Sequence, residues 1–267
     1  MTILEKHYQQ HKEERRLKTR HGIVEFTVSM KYIHQYMPDH IRNGNELARK
    51  NYKILDIGAG TGKYSIELCN EGFDVTAVEL VKRNLEILRS KHKPVKTWQG
   101  NALNLDFLKD NTFDLTLLFG PLYHLHKSEE KIQALNEAKR VTKNGGVIFV
   151  AYLMNEYSLF SYCFRENRIA NLLKSGAVTK DFCVAAKNDE LYDYVRLEDI
   201  DKLNQKSGLE RLTIFSPDGM SDYMRKELNA MNEETFALFI DYQLKAAERK
   251  DLIGAGSHTV DVLRVIK

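Results

Sequence analysis

Between Tyr52 and Leu153, short apolar runs alternate with helix-like segments, and no other feature restricts the fold as tightly. "YKILDIG" reads as a strand, "KYSIELCNEG" as a helix, "FDVTAVEL" as a strand and "KRNLEILRSKH" as a helix. "VKTWQGNA" is a short strand and turn, "TFDLTLLFG" a strand, "SEEKIQALNEAKRVTKNGG" a helix and "VIFVAYL" a strand. Strands separated by helices of about 10–15 residues pair in parallel through right-handed crossovers, which predicts an open α/β sheet. The nearly continuous apolar run Leu115–Phe119 fits a sheet covered on both faces. In the helix opening at Ser128, that residue is placed to cap, with Glu129 and Glu130 in the first turn. Lys139, Arg140 and Lys143 lie toward its end, before Asn144-Gly145-Gly146, as the helix dipole favours.

Outside this block the pattern changes. Residues 4–20 are polar, with sparse apolar positions, and read as an exposed or frayed helix. Ile23, Phe26, Met30, Ile33 and Met37 recur at steps of three and four, an amphipathic helix. "PDHIRNGNELARKN" is a polar connector. Residues 155–195, rich in Tyr and Phe, read as mostly helical. After them come a helix "RLEDIDKLNQKSG", a strand "LERLTIFSP", a helical insertion at about 220–250 and a closing strand "SHTVDVLRVIK". The predicted organisation is therefore a leading helical segment (1–50), an α/β core (51–154), a helical cap (155–195) and the rest of the core (196–267).

Composition bounds the function classes. The formal net charge of +3 is small for 267 residues and gives no nucleic-acid signature. Cys69, Cys163 and Cys183 lie far apart with no C-x-x-C pair, which suits reduced thiols in a cytoplasmic protein and offers no zinc site. No run approaches the roughly 20 apolar residues of a membrane span, and "MTILEKHYQQHKEERR" lacks an apolar signal core. Monomer or homodimer are both compatible with the chain.

The stretch "KILDIGAGTGKYSIEL" joins a strand to a helix through three glycines at alternate positions. Backbone N–H groups at such a strand end and helix start face a small-ligand crevice. A phosphate loop needs G-x-x-x-x-G-K followed by Ser or Thr. Here Ile57 and Tyr64 break that pattern. A dinucleotide turn needs G-x-G-x-x-G, and Lys63 stands at its third glycine. Asp56-Ile57-Gly58-Ala59-Gly60-Thr61-Gly62 matches D-x-G-x-G-x-G throughout. It resembles motif I of the class I S-adenosylmethionine-dependent methyltransferases. The resemblance implies a Rossmann-like, seven-stranded, mostly parallel sheet with helices on both faces, and a loop wrapping the methionine end of S-adenosyl-L-methionine.

Later strand ends continue the resemblance. Glu79, followed by Leu80, ends the second strand, where a carboxylate can accept from both ribose hydroxyls of an adenosine. "QGNALNL" looks like the family's turn toward adenine, with Asn101 and Ala102 in the contacting positions; a plain Asx turn is the alternative. "LLFGPLYHLHKSEEK" places Phe119 and Gly120 at the crevice mouth and is similar to a form of motif IV in bacterial small-molecule methyltransferases. Enzymes that methylate nucleobase amines carry Asp or Asn-Pro-Pro-Tyr or Phe there. Gly120 cannot make that Asp or Asn bond. The implied activity is methyl transfer to an O, N or C atom of a small molecule, yielding S-adenosyl-L-homocysteine.

His124 is the candidate base, because its ordinary pKa lies near neutrality. Tyr123 is placed to hydrogen-bond the acceptor or to face the sulfonium. The competing assignment makes this pair only a wall of the pocket. His124-x-His126 lacks the further ligands of a metal site. Tyr8, Arg15, Arg16 and Glu25 are candidates for a lid over the cofactor, and Trp98 either packs on the sheet or flanks the adenine. Phe160, Tyr162, Phe164, Tyr192, Tyr194 and Tyr223 form either cap core or a substrate box. The alternatives in function are an NAD-linked oxidoreductase and a cofactor-binding methyltransferase-like module without activity.

Overall fold

A computed structural model of the chain describes Leu4, His7, Tyr8 and residues 19–185 and 190–267. Among the described residues, β1 (Lys53–Ile57), β2 (Asp74–Glu79), β3 (Lys96–Gln99), β4 (Phe113–Leu118), β5 (Thr142–Leu153), β6 (Glu210–Phe215) and β7 (His258–Arg264) form one sheet. Its order is β3-β2-β1-β4-β5-β7-β6. Strands β1 to β5 pair in parallel, whereas β7 runs antiparallel to both β5 and β6.

The apolar runs are continuous because both faces are covered. Ile54, Leu117 and Phe149 face one core with Val28, Ile33 and Phe215, while Leu55, Leu118 and Ile148 face another with Leu135, Ala138 and Leu203. The first core holds α1 (Arg20–Gln35), whose Tyr32 stacks on Phe215 with ring centroids 3.8 Å apart. The amphipathic helix read from the sequence is thus an integral layer of the sheet's packing. Most of the polar stretch before it lies outside the described residues.

The rest of the alternation also appears. Helices α2 (Asp39–Arg42) and α3 (Glu46–Asn51) occupy the supposed connector; α4 (Lys63–Asn70) and α5 (Lys82–Ser90) follow β1 and β2. Helix α6 (Ser128–Val141) starts on Ser128, so Ser128 is its first residue and makes no capping bond. It also ends earlier than the glycine pair suggested. The β-branched Thr142 turns extended, donates its hydroxyl to Ala138 O at 2.7 Å and pairs with the Thr116 hydroxyl at 2.7 Å. This closes the helix and starts β5.

The 155–195 region departs most from the expectation. Helix α7 (Asn155–Ser158) runs into a π-helical turn (Leu159–Phe164), and α8 (Ile169–Ser175) follows. The remainder to Val195 is irregular among the described residues. Helices α9 (Leu197–Ser207), α10 (Arg225–Ala230) and α11 (Glu233–Ala246) complete the chain as read. No helix among the described residues is long and apolar enough to cross a membrane.

Candidate active site

The carboxyl ends of β1, β2 and β4, with the turn after β3, open onto one cavity, as parallel sheets arrange ligand sites. β1 delivers the chain into the glycine turn, where Gly58, Gly60 and Gly62 adopt φ of 78°, 56° and 85°. These left-handed conformations are costly for other residues. The outer two glycines also answer to packing. A Cβ on Gly58 would stand 2.6 Å from Pro121 Cδ, and one on Gly62 would stand 2.2 Å from Leu88 Cδ1. The turn is held by Gly58 N–H and Ala59 N–H donating to Val78 O at 2.8 and 3.1 Å.

Two carboxylates flank this turn. Glu79, only 5% exposed, accepts from Gly60 N–H and from Val81 N–H, each at 2.7 Å. It therefore ties the second strand end to the glycine turn. Asp56 is buried and accepts from the Ser65 hydroxyl at 2.5 Å. Burial pushes its pKa up to about 6, a rise that the Ser65 bond offsets and the nearby Glu79 charge increases.

An acid raised in the folded state stabilises fully only below its unfolded value, near 4, and loses that contribution as pH rises through about 6. Asp56→Asn should therefore gain on the wild type by on the order of 2 kcal/mol between about pH 4 and pH 7. Urea denaturation midpoints at several pH values check this. A pH-independent difference between the two proteins would show that Asp56 is not raised.

Leu80, Asn101, Ala102, Phe119 and Gly120 all line the cavity. Asn101 Oδ1 accepts from Leu103 N–H at 3.0 Å, so the Asx turn is present while the residue still borders the site. Phe119 lies edge-on to Tyr64 at 5.1 Å. Trp98 is half exposed on β3 and packs on Phe107 at 5.4 Å, away from the cavity.

Gly120, at φ 122°, turns β4 into the 3-10 turn Pro121–His124, which sets Tyr123 and His124 on the cavity wall. His124 Nδ1–H donates to Leu191 O at 2.9 Å. That fixes the tautomer, so Nε2 accepts from the Tyr8 hydroxyl at 3.1 Å. Burial lowers the His124 pKa to about 4, with His7 and His126 pushing the same way and the Leu191 bond opposing. An imidazole so occupied is neutral near pH 7 and a weak proton acceptor. This geometry favours the wall over the base.

Of the candidate lid, Tyr8 and Glu25 border the cavity; Arg15 and Arg16 lie outside the described residues. Phe160, Tyr162 and Phe164 are exposed rather than packed as cap core, and they do not border the cavity. Tyr192 instead packs against His124 at 5.2 Å.

The sequence reading passed over His258, at the start of β7, and Asp218, just after β6. His258 and Pro217 border the cavity, and His258 Nδ1 lies 2.7 Å from Asp218 Oδ2. Because β7 is antiparallel, its first residue reaches the sheet edge where the parallel strands end. That direction was the signal available, and periodicity does not reveal it.

Residues 55–150, from β1 to β5, match the family model described as a methyltransferase domain. A demethylmenaquinone methyltransferase from Paenarthrobacter aurescens is 37% identical over 100 residues, 37% of this chain and 38% of that protein. A ubiquinone biosynthesis O-methyltransferase from Pelagibacter ubique is 30% identical over 153 residues, 54% of this chain and 59% of that one. The chain thus spans less than two thirds of the length of these relatives. A solved S-adenosylmethionine-dependent methyltransferase from Thermotoga maritima shares the fold, with a TM-score of 0.56 and 21% identity. The likeness covers 98% of this chain and 97% of that one.

Sheet order and glycine turn together define a Rossmann-like methyltransferase fold. The matched segment, residues 55–150, carries a methyltransferase domain similar to that of the class I S-adenosylmethionine-dependent enzymes, whose cofactor leaves as S-adenosylhomocysteine. The residues present fit that group: a buried carboxylate at the β2 end, bare backbone in the turn, and apolar Leu80, Ala102 and Phe119 around them.

Proposed function

We propose that the chain transfers a methyl group from S-adenosylmethionine to a small molecule. The methionine end of the cofactor lies along Gly58–Gly62, the ribose toward Glu79 and the adenine against Leu80, Asn101 and Ala102. One observation carries the reading: the glycine turn, Glu79, the Gly100–Ala102 turn and the Phe119–His124 wall border a single cavity. The two curated relatives are named for small-molecule methylation, which supports an acceptor of that kind.

When bound, the cofactor supplies an activated methyl on a cationic sulfonium. The chain's part is to align the acceptor and exclude water, and positioning of that kind supplies on the order of 7–11 kcal/mol. Tyr123 faces the cavity as an aromatic surface suited to a cation. His124 holds Tyr8 over the same space, and we assign it to the wall. The antiparallel β7 between β5 and β6 weighs against the NAD-linked alternative, whose doubly wound sheet has the order 3-2-1-4-5-6.

Calorimetric titration with S-adenosylmethionine, S-adenosylhomocysteine and NADH tests the reading. The first two should bind and NADH should not; tighter binding of NADH would overturn it. Glu79→Ala should weaken the two adenosyl ligands by about 1–3 kcal/mol, the usual cost of losing hydrogen bonds to a charged group. Equal affinity in that variant would remove the ribose from Glu79.

A further inference from the structure

We propose that residues 159–184 form a docking surface for an anionic lipid bilayer, which exposed aromatic rings enter and basic side chains hold. Through the π-helical turn burial alternates: Leu159, Ser161 and Cys163 turn inward, whereas Phe160, Tyr162 and Phe164 turn outward. Leu159 and Cys163 pack with Val178, Leu172 and Leu173 in a small core of their own, so that interior is filled without the outer rings. Phe160 is 57% exposed and Phe164 47%. The Phe164 ring lies 6.3 Å from Phe160 on one side and 6.3 Å from the exposed Phe182 on the other. Single exposed apolar side chains are ordinary, whereas a contiguous row marks a contact surface.

The row is held firmly in place. Phe182 sits at φ 56°, a left-handed conformation that bulky residues seldom adopt. The buried Asn155 side chain fixes this turn, donating to Phe182 O at 3.0 Å and accepting from Val184 N–H at 2.8 Å. Strain maintained by buried bonds, with the ring left outside, points to a use for that ring.

Charge selects the occupant. The same stretch carries Arg165, Arg168, Lys174 and Lys180 against Glu166 and Asp181, and all six are exposed. Glu166 faces Arg168 at 3.3 Å, while Lys174 and Lys180 have no ion-pair partner among the described residues. Aromatic rings that enter the headgroup boundary beside cations that face lipid phosphates are the elements of interfacial binding. A second copy related by a two-fold axis would instead bring this basic surface against itself. The unit leaves the sheet at the carboxyl end of β5, so docking sets the cavity's edge of the sheet near the bilayer.

Cosedimentation of the full chain with phosphatidylcholine vesicles, with and without phosphatidylglycerol, tests this. The chain should pellet with the anionic vesicles, less so as salt screens the charges, and stay in solution with phosphatidylcholine alone. Phe160→Ser combined with Phe164→Ser changes exposed positions only, and should lower partitioning at least about tenfold with wild-type circular dichroism. Lys174→Gln combined with Lys180→Gln should lower it by about tenfold or more. No binding of the wild type to anionic vesicles, equal partitioning onto phosphatidylcholine alone, or wild-type partitioning of either double variant would overturn the proposal. So would a wild-type dimer in sedimentation velocity that the phenylalanine substitutions dissolve, since the row would then belong to a second copy. None of the four substituted residues borders the cavity, so S-adenosylmethionine affinity should be that of the wild type in both double variants. Failure of the wild type to bind S-adenosylmethionine would overturn the methyl-transfer reading and leave this proposal standing.

Discussion

Gly60→Leu should abolish S-adenosylmethionine binding in a protein that still folds. Gly60 sits at φ 56°, so a leucine there costs about 1–2 kcal/mol of backbone strain, which a domain with about 5–15 kcal/mol of stability survives. Its N–H is tied to Glu79 at 2.7 Å and the residue borders the cavity, so the new side chain competes with the ligand for that space. The neighbours are poor substitutes for this experiment. Side chains at Gly58 and Gly62 strike Pro121 and Leu88 and would report on folding as much as on binding. Calorimetry should show affinity reduced more than about a hundredfold, beyond 2.7 kcal/mol, with the far-ultraviolet circular dichroism of the wild type. Unchanged affinity would remove the glycine turn from the cofactor site.

The strand and helix alternation was legible because local pattern and global fold agree there: each apolar run is a sheet strand covered on both faces. The cofactor half of the site was legible for a related reason. Glu79 ends a strand and Gly58, Asn101 and Gly120 each follow one within a few residues, so chain order and spatial order coincide.

What stayed hidden depends on contacts between distant segments. The neutrality of His124 comes from Leu191 and Tyr8, and the orientation of His258 from Asp218. No spacing rule links those positions. The reason for the outer glycines was hidden too: Leu88 and Pro121 crowd them from the α5 helix and the turn after β4. The irregular stretch before Val195 looked helical by composition. It is held instead by tertiary bonds, among them Val195 N–H to Leu153 O at 2.9 Å.

The segment just before Val195 should be strongly sensitive to a single substitution. Lys131 on α6 and Asp193 form an ion pair whose side chains are 7% and 8% exposed. Asp193 N–H also donates to Tyr123 O at 2.8 Å, while His124 and His126 donate to Leu191 O and Glu190 O, each at 2.9 Å. The pair therefore anchors the strap that fixes the cavity wall. Removing one partner leaves a charge buried without its counter-ion, which costs about 3–5 kcal/mol. Asp193→Ala should show that loss in urea denaturation, together with weaker protection of the Tyr123–His126 amides from hydrogen exchange. Lys131→Met combined with Asp193→Leu removes both charges and should recover most of the stability, since an apolar pair of similar volume is often nearly neutral. If the single variant loses less than about 1 kcal/mol, the pair does not hold the strap. In that case the wall's order comes from the backbone bonds alone.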